Sequence, residues 1–318
     1  MENYTVGFRS LAARAGADGS FQKGKDNLLF YCGLSIGITT LRKLCYAEAP
    51  KMAEFMQTSS EVATKFAKAS GNVEITIDAT KVNTMGGWRD VKLGIFSKRL
   101  LGASALPKDY GTRKLPGHTA RVAFAAIEKK DRFRNRLSDW RRRLRPGLTG
   151  DISALADGAS WIWDIIRLEF GKVRECLDVY HALEHLSGIG KLFYGEESVS
   201  YKKWYASAKR DLLSGGYKLI AKRLALLEGK VRTDRQQESL RRLRGYFSDH
   251  SERLNYCERL WEGRAIGSGQ VEGACKSMVG KRLKQTGARW KVRNLNRMLS
   301  LCALRYCDAW EDYWRNAN

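Results

Sequence analysis

The sequence predicts a mixed α/β fold, and three observations lead to this prediction. Apolar and polar residues alternate with period two in VEITIDA, which is expected of a half-buried strand. Further along, short apolar runs alternate with amphipathic segments, which gives the order strand, strand, strand, helix, strand, helix, strand, helix. Acidic residues follow several of the predicted strands. This order is typical of a sheet packed against helices.

Residues 1–70 are predicted to form a helical N-terminal segment. Leu41, Leu44 and Cys45 have the spacing of one helix face and follow a turn rich in Gly and Thr. Residues 33–66 would accommodate a helix-turn-helix fragment. We therefore interpret the segment as a candidate remnant of a DNA-binding region.

A β-hairpin is predicted next, from VEITIDA and WRDVKLGIFSKR with a turn at Met85-Gly86-Gly87. The first strand is expected to end at Asp78. A third apolar run, HTARVAFAAIEKK, leads into a basic helix, DRFRNRLSDWRRRLRP. This helix is expected to stop before Pro146, because proline disfavours a helical conformation at the residue before it.

Two short strands then alternate with helices. DISALADGAS predicts a buried strand that ends at Asp157, followed by the helix WIWDIIRLEF. VRECLDV predicts a strand to about Asp178, with a helix from about Tyr180. Residues 71–194 would thus form the first part of an α/β core. Residues 195–263 are charged, Leu-rich and predicted to be an all-helical insertion, and residues 264–318 a Gly-rich loop followed by helices.

Positive charge dominates the composition. The 318 residues include 57 Lys and Arg against 34 Asp and Glu, for a net charge of +23. Such a surplus favours a polyanionic partner, with nucleic acid ahead of an anionic membrane surface. The apolar fraction of 43% excludes wholesale disorder. No spanning or signal-peptide segment is found, so we expect a soluble, cytoplasmic protein with no membrane partner. The seven scattered cysteines, none in a CxxC pair, indicate reduced thiols.

Three acids stand out by their sequence context. Asp78 and Asp157 end predicted strands, and Glu272 begins a helix after Gly-Ser-Gly. Two strand-end carboxylates and a helical one can converge at a sheet edge, where they would hold two divalent cations about 3.5–4 Å apart. Each acid taken alone is more typical of a turn former or helix cap. Only the three together predict a metal site.

Between Glu272 and Asp308 the chain has nine Lys and Arg residues and no acid. A phosphate backbone would need such a surface beside a metal site. Trp290 could stack on a base or pack in the core, and the basic helix could face DNA or only solvent. The candidate DNA-binding residues are Arg141, Arg142, Arg143, Lys276, Lys281, Arg282, Lys284, Arg289 and Trp290.

A local motif combines Asp178, His181, Glu184 and His185. The two histidines are four residues apart and share a helix face, an arrangement found in zinc sites. The order HALEH differs from HExxH, and no third ligand is indicated. A partly buried histidine pair with ordinary hydrogen-bond partners is the favoured interpretation.

Several of these segments resemble bacterial insertion-sequence transposases of the DDE class, in the group named after the Kra insertion sequence. The similarity runs in order over about three quarters of the chain. Its last motif is the most specific. The segments are ITIDATKV, VKLGIFSKR, LADGASWIWDII, LDVYHALEHL, GSGQVEGACKSMVGKRLKQTGARW and LSLCALRY.

The resemblance implies an RNase H-like catalytic core and Mg²⁺-dependent DNA cleavage and strand transfer at transposon ends. Asp78, Asp157 and Glu272 would be the catalytic acids, holding two Mg²⁺ ions that Mn²⁺ can replace. Asp178 and His181 match a motif of Mutator-like transposases, where they would be auxiliary residues, and those relatives carry an all-helical insertion before the third acid. The expected partner is double-stranded DNA, bound by a homodimer at the bacterial nucleoid.

The chain departs from this family at two places. Relatives usually have Asp-Gly at the first acid, where this chain has Asp78-Ala79, and they usually carry a longer N-terminal DNA-binding region. Two other functions therefore stay open: a truncated or domesticated DNA-binding protein without catalysis, and a structure-selective RNase H-like nuclease.

Overall fold

The predicted hairpin supplies the two longest strands of a five-stranded sheet. The computed structural model describes residues 4–317, with a mixed α/β architecture and a sheet that contains parallel and antiparallel pairs. The strand order is β3-β2-β1-β4-β5. The strands are β1 (Asn72–Thr84), β2 (Gly87–Arg99), β3 (His118–Ala126), β4 (Ile152–Ala156) and β5 (Arg174–Leu177).

Helices make up most of the remaining chain. Four precede the sheet: α1 (Val6–Asp18), α2 (Phe21–Cys32), α3 (Ile38–Thr58) and α4 (Ser60–Lys68). Six lie between β3 and the glycine-rich loop: α5 (Lys130–Leu144), α6 (Ser160–Phe170), α7 (Val179–Tyr194), α8 (Val199–Glu228), α9 (Asp234–Asp249) and α10 (Tyr256–Trp261). The last are α11 (Gly269–Ala274), which continues as a π-helix (Cys275–Gly280), α12 (Lys281–Leu283), α13 (Val292–Tyr306) and α14 (Trp310–Arg315).

The first strand extends beyond its expected end. β1 continues past Asp78 to Thr84, so the prediction that Asp78 ends the strand is wrong. Val82 and Thr84 are buried on this extension, and β-branched residues favour strand backbone. Met85 and Gly86 then connect β1 to β2, and Gly87 has φ +90°, which a glycine adopts without steric cost. Asp78 is therefore held within a strand rather than in a loop.

The chain divides into two compact units. Unit 1 comprises Met1–Lys98, His118–Gly150 and Gly269–Asn318, and unit 2 comprises Arg99–Gly117 and Asp151–Ser268. This grouping differs from the predicted segments, because it places the N-terminal helices with the C-terminal ones.

In unit 1, the apolar face of α13 packs against α3 and β3. Leu295, Leu299 and Leu41 are fully buried there. The buried guanidinium of Arg282 donates from Nε to the carbonyl of Gly16 at 2.6 Å and lies over the rings of Phe21 and Trp290. Contacts between residues so distant in sequence tie the first helices to the last part of the chain.

In unit 2, β4 and β5 pair in parallel, with Ser153 opposite Arg174 and Ala156 opposite Leu177. The helices α7, α8 and α9 pack against one another. Within residues 195–263, the described segments with regular structure are all helical. Across residues 4–317, no helix is both long and apolar enough to cross a membrane.

Candidate functional site

In unit 1, two of the three predicted acids, Asp78 and Glu272, influence the pKa of the same thiol, that of Cys275. Cys275 donates from Sγ to Oδ2 of Asp78 at 3.5 Å. Burial raises the pKa of Cys275, and the negative charges of Asp78 and Glu272 raise it further. Asp78 and Glu272 are far apart in sequence, and the packing of α11 on β1 brings their carboxylates near Cys275. The fold therefore packs the elements that carry two of the predicted catalytic acids against each other.

The helix that carries Glu272 changes its hydrogen-bonding pattern three residues after this acid. Glu272 belongs to α11, and Cys275 begins the π-helix that follows. Short π-helical segments inside α-helices are frequent at functional sites. Oδ1 of Asp78 accepts from the backbone N–H of Ala79 at 2.6 Å, which orients the first carboxylate. Both acids are thus held by local backbone geometry.

Four of the predicted DNA-binding cations are exposed on unit 1. These are Lys276, Lys281, Lys284 and Arg289. Lys284 lies near the first acid, because its Nζ donates to Oγ1 of Thr80 at 2.5 Å, two positions beyond Asp78 on β1. Exposed cations next to carboxylates could contact a phosphate backbone. They are among the cations of the predicted basic run that are open to a ligand.

Arg282 and Trp290 are less accessible to solvent than those four cations. Arg282 is 2% exposed, so its guanidinium faces protein rather than solvent. The half-buried Trp290 donates from Nε1 to the carbonyl of Leu283, and its backbone forms a single parallel bridge with Thr84. Of the two functions that the sequence left open for Trp290, these contacts favour packing.

The three predicted arginines of α5 are not equivalent either. Arg143 donates to the backbone carbonyls of Met56 and Ser59, and its guanidinium lies 4.5 Å from the Trp140 ring. It therefore satisfies carbonyls at the end of α3, as cations often do. Arg142 is exposed and pairs with Asp139, whereas Arg141 is half-buried. Arg142 is the most accessible of the three.

In unit 2, Asp157 follows β4 directly, as predicted. Its Oδ1 accepts from the backbone N–H of Ala159 at 3.0 Å, and its backbone carbonyl accepts from Nε1 of Trp163 at 2.8 Å. Oδ2 has no hydrogen-bond partner among residues 4–317. One carboxylate oxygen is therefore free for a ligand, while the other fixes the turn into α6.

Asp178 is a fully buried carboxylate with four hydrogen bonds. Oδ1 accepts from the N–H groups of Tyr180 and His181, at 2.7 and 3.0 Å, and caps α7. Oδ2 accepts from the backbone N–H of Ser268 and, at 2.6 Å, from its hydroxyl. The predicted auxiliary acid thus fixes the Gly-Ser-Gly loop to the start of α7.

The two predicted histidines differ in environment. Nδ1 of His181 lies 3.7 Å from Oε2 of Glu184 on α7. The ring of His185 packs against that of Tyr246, with 4.2 Å between centroids. Both histidines thus contact neighbouring protein side chains, as the favoured interpretation of this pair expects.

Sequence reasoning missed an aromatic residue from α9 beside the second acid. A Cβ on Gly158 would lie 2.9 Å from Cζ and Oη of Tyr246 and closer still to Cε2. Burial raises the pKa of Tyr246, and the charges of Asp157 and Asp178 raise it further, so the phenol stays protonated. The only signal in the sequence was the glycine after Asp157, which leaves room for this ring.

Within unit 2, Asp178 and His181 carry ligand atoms of the kind that hold metal ions, and these atoms lie within 4.8 Å of each other. Carboxylate oxygens suit hard divalent cations, and an imidazole widens the choice to transition metals. These two residues therefore do not define which metal would bind. Comparisons with protein-family models and with curated proteins find no match to this chain.

Proposed function

We propose that this chain is a DDE transposase with an RNase H-like core, which cleaves and joins DNA strands at insertion-sequence ends in a Mg²⁺-dependent reaction. The observation that carries the proposal is the placement of Asp78 and Glu272 around the Cys275 thiol. The segments around both acids, ITIDATKV and GSGQVEGACKSMVGKRLKQTGARW, are among those that resemble this class. Asp157 would be the third acid.

The donor set fits the implied ions. Asp78, Asp157 and Glu272 are all hard oxygen ligands of the kind that Mg²⁺ and Mn²⁺ prefer, and Asp157 keeps one oxygen without a partner in the described chain. When bound, two such ions would activate an attacking oxygen and stabilise the leaving oxygen of a phosphodiester. The histidine content of 4 also fits a reaction without a protein base.

The protein's own groups would position the DNA. Lys276, Lys281, Lys284 and Arg289 would contact backbone phosphates, because they are exposed in the segment that follows Glu272. We expect a homodimer on DNA, since transposition pairs two ends. Asp178 would act by holding the loop before α11, through its bonds to Ser268.

The test is cleavage of a linear duplex that carries the DNA ends flanking this gene, with Mg²⁺ and with EDTA. Asp78→Asn, Asp157→Asn and Glu272→Gln should each abolish nicking and strand joining while DNA affinity stays within about twofold, because the exposed cations supply the affinity. Asp90→Asn is the matched control, since Asp90 is a half-exposed acid on β2 that pairs with Lys81. It should cleave like the unmodified chain.

The same assay separates the proposal from the other two functions. Binding without any metal-dependent nicking would indicate a DNA-binding protein that lacks catalysis. Faster cleavage of a four-way junction than of the linear ends, with no strand joining, would indicate a structure-selective nuclease. Either outcome would contradict the transposase proposal.

A further inference from the structure

A cleft of about 830 Å³ in unit 1 follows one face of α5. Gln57 and Thr58 at the end of α3 and Asn296 of α13 also line it. Its size is typical of a ligand-binding cleft. Residues three or four positions apart share a face of a helix, and the polar residues of α5 in the cleft have this spacing. They are Arg132, Asn135, Arg136, Asp139, Arg142 and Arg143.

Hydrogen bonds to the backbone hold the walls of this cleft in place. Arg143 donates to the carbonyls of Met56 and Ser59, which fixes the end of α3 to α5. Oδ1 of Asn296 accepts from the backbone N–H of Ile127 at 2.9 Å, which fixes α13 to the segment after β3. The cleft is therefore formed without a ligand.

The cleft carries a net positive charge, and part of that charge is accessible. Four arginines and two acids line it, for a net charge of +2. Glu128 accepts two hydrogen bonds from Arg136, at 2.9 and 3.1 Å, and Asp139 pairs with Arg142. Arg132 is exposed and has no ion pair or hydrogen bond among residues 4–317. Its guanidinium can therefore bind a ligand without losing a bond inside the protein.

The length of this arginine row favours an extended anion over a single ion. An α-helix rises about 1.5 Å per residue, so the row from Arg132 to Arg143 spans about 16 Å of α5. Successive phosphates of a DNA strand advance about 3.4 Å along the duplex axis, so the row matches about four to five of them. The planar guanidinium of arginine also suits paired hydrogen bonds to phosphate oxygens. A nucleic-acid backbone therefore fits the row better than a small anion does.

We propose that this cleft is a second DNA-binding surface, in which Arg132 and its neighbours on α5 contact the phosphates of a duplex. The four cations after Glu272 that hold DNA in the proposed function do not line the cleft, so the two surfaces are separate. The choice of DNA as the polyanion rests on the proposed function. An enzyme that joins two DNA segments has to hold both, and a second surface meets that need. The segment in the cleft is either target DNA or the flank of an insertion-sequence end.

Arg132→Glu tests the proposal, because it reverses an exposed charge that has no partner in the described chain. Arg132 lies in the first turn of α5, where an acidic residue is favourable, so the variant should fold. Fluorescence anisotropy in EDTA measures duplex binding without any cleavage. We expect affinity to fall about five- to tenfold and the salt dependence to flatten by about 0.9 for the lost phosphate contact.

Arg145→Glu is the matched control. It makes the same change of charge at an exposed arginine that follows α5 and does not line the cleft. It should bind the duplex within about twofold of the unmodified chain, because salt screens charges that do not touch the DNA. Melting temperatures of both variants check that they are folded.

Cleavage and joining assays with Arg132→Glu identify which DNA the cleft holds. Normal nicking of the ends with reduced strand joining would show that target DNA binds there. Reduced nicking as well as reduced joining would show that the flank of the end binds there.

Three outcomes would overturn the proposal. Unchanged duplex binding by Arg132→Glu would exclude a phosphate contact in the cleft, and an equal loss of affinity in Arg145→Glu would show an effect of net charge alone. Polyglutamate that displaces the duplex from the unmodified chain as readily as unlabelled DNA does would indicate an acidic protein partner instead. If Arg132→Glu alone loses affinity while the unmodified chain cleaves no DNA, the cleft stands as a DNA-binding surface and only the proposed function fails.

Discussion

The carboxylate of Asp178 accepts hydrogen bonds from both the backbone N–H and the hydroxyl of Ser268. The same carboxylate caps α7 through the N–H groups of Tyr180 and His181. The fully buried carboxylate of Asp178 thus caps α7 and also holds the loop that contains Ser268. This dual use fixes both oxygens of the Asp178 carboxylate.

Asp178→Asn should destabilise the protein by about 1–3 kcal/mol, because an amide replaces one acceptor oxygen with a donor that faces other donors. Ser268→Ala removes only the hydroxyl bond and should cost about 1 kcal/mol. Urea unfolding followed by circular dichroism measures both. Equal losses of unfolding free energy in the two variants would contradict the role of Asp178 as both helix cap and loop anchor. Losses that add up in the double variant would contradict it as well.

Gly158→Ala should destabilise the protein by about 1–3 kcal/mol, the cost of overpacking, because the new Cβ overlaps the Tyr246 ring. Gly188→Ala is the matched control: Gly188 lies within α7 and a Cβ there would meet nothing within 4 Å. The control should be stabilised by up to about 1 kcal/mol, the helix preference for Ala over Gly. Thermal melts of both variants check the contrast. A Gly158→Ala variant as stable as the unmodified chain would contradict the close packing of Tyr246 on this glycine.

The free energy of unfolding should fall as the pH falls below about 6.5, in part because of His250. Burial lowers the pKa of His250 below its ordinary value of 6.5, and the charge of Arg253 lowers it further. Above pH 6.5 the imidazole is neutral in both states, whereas below it the unfolded chain takes up the proton first. Nδ1 of His250 lies 2.9 Å from the Arg253 guanidinium, so protonation would place two cations together.

Urea unfolding at pH 5.5 and 7.5, for the unmodified chain and for His250→Gln, measures this dependence. The difference in unfolding free energy between the two pH values should shrink in the variant. A difference of the same size in both proteins would exclude His250 as its source.

DNA affinity should depend on the exposed cations that follow Glu272. Replacing Lys276, Lys281, Lys284 and Arg289 by Gln should weaken binding and flatten its salt dependence by about 0.9 per lost phosphate contact. Fluorescence anisotropy at several salt concentrations measures the slope. The control replaces four exposed cations of α8: Lys202, Lys203, Arg210 and Lys218. Equal loss of affinity in both sets would indicate that the binding is due to net charge alone.

Strand and helix order was predictable because each element carries its own hydrophobic period. The alternation in VEITIDA predicted β1, and the proline after the basic run placed the end of α5 close to its observed position, Leu144. The end of β1 was not predictable, since Asp78 is a poor strand former held in place by the strand around it. Local propensity gives way there to tertiary pairing.

The three acids of the proposed site were chosen from the sequence, whereas their surroundings could not be. The prediction of Asp78, Asp157 and Glu272 rested on their positions after apolar runs and glycines. Cys275 and Tyr246 were not predicted, because nothing near them in sequence shows that they lie beside those acids. The burial of Arg282 could not be predicted from the sequence either. Its neighbours in sequence are mostly basic, and the rings that cover its guanidinium belong to Phe21 and Trp290.

The assembly of unit 1 from three separate stretches of chain has a consequence for synthesis on the ribosome. Its core joins α1 and α3 to α13, and Arg9 reaches the backbone carbonyl of Ala317. The helices α1 and α3 leave the exit tunnel before α13 is made, so the apolar faces that they pack against α13 stay uncovered until then. Until then they present a target for chaperones. A nascent chain would also carry Asp78 well before the helix of Glu272 has been made, so the segments of these two acids can pack together only after α11 has been synthesised.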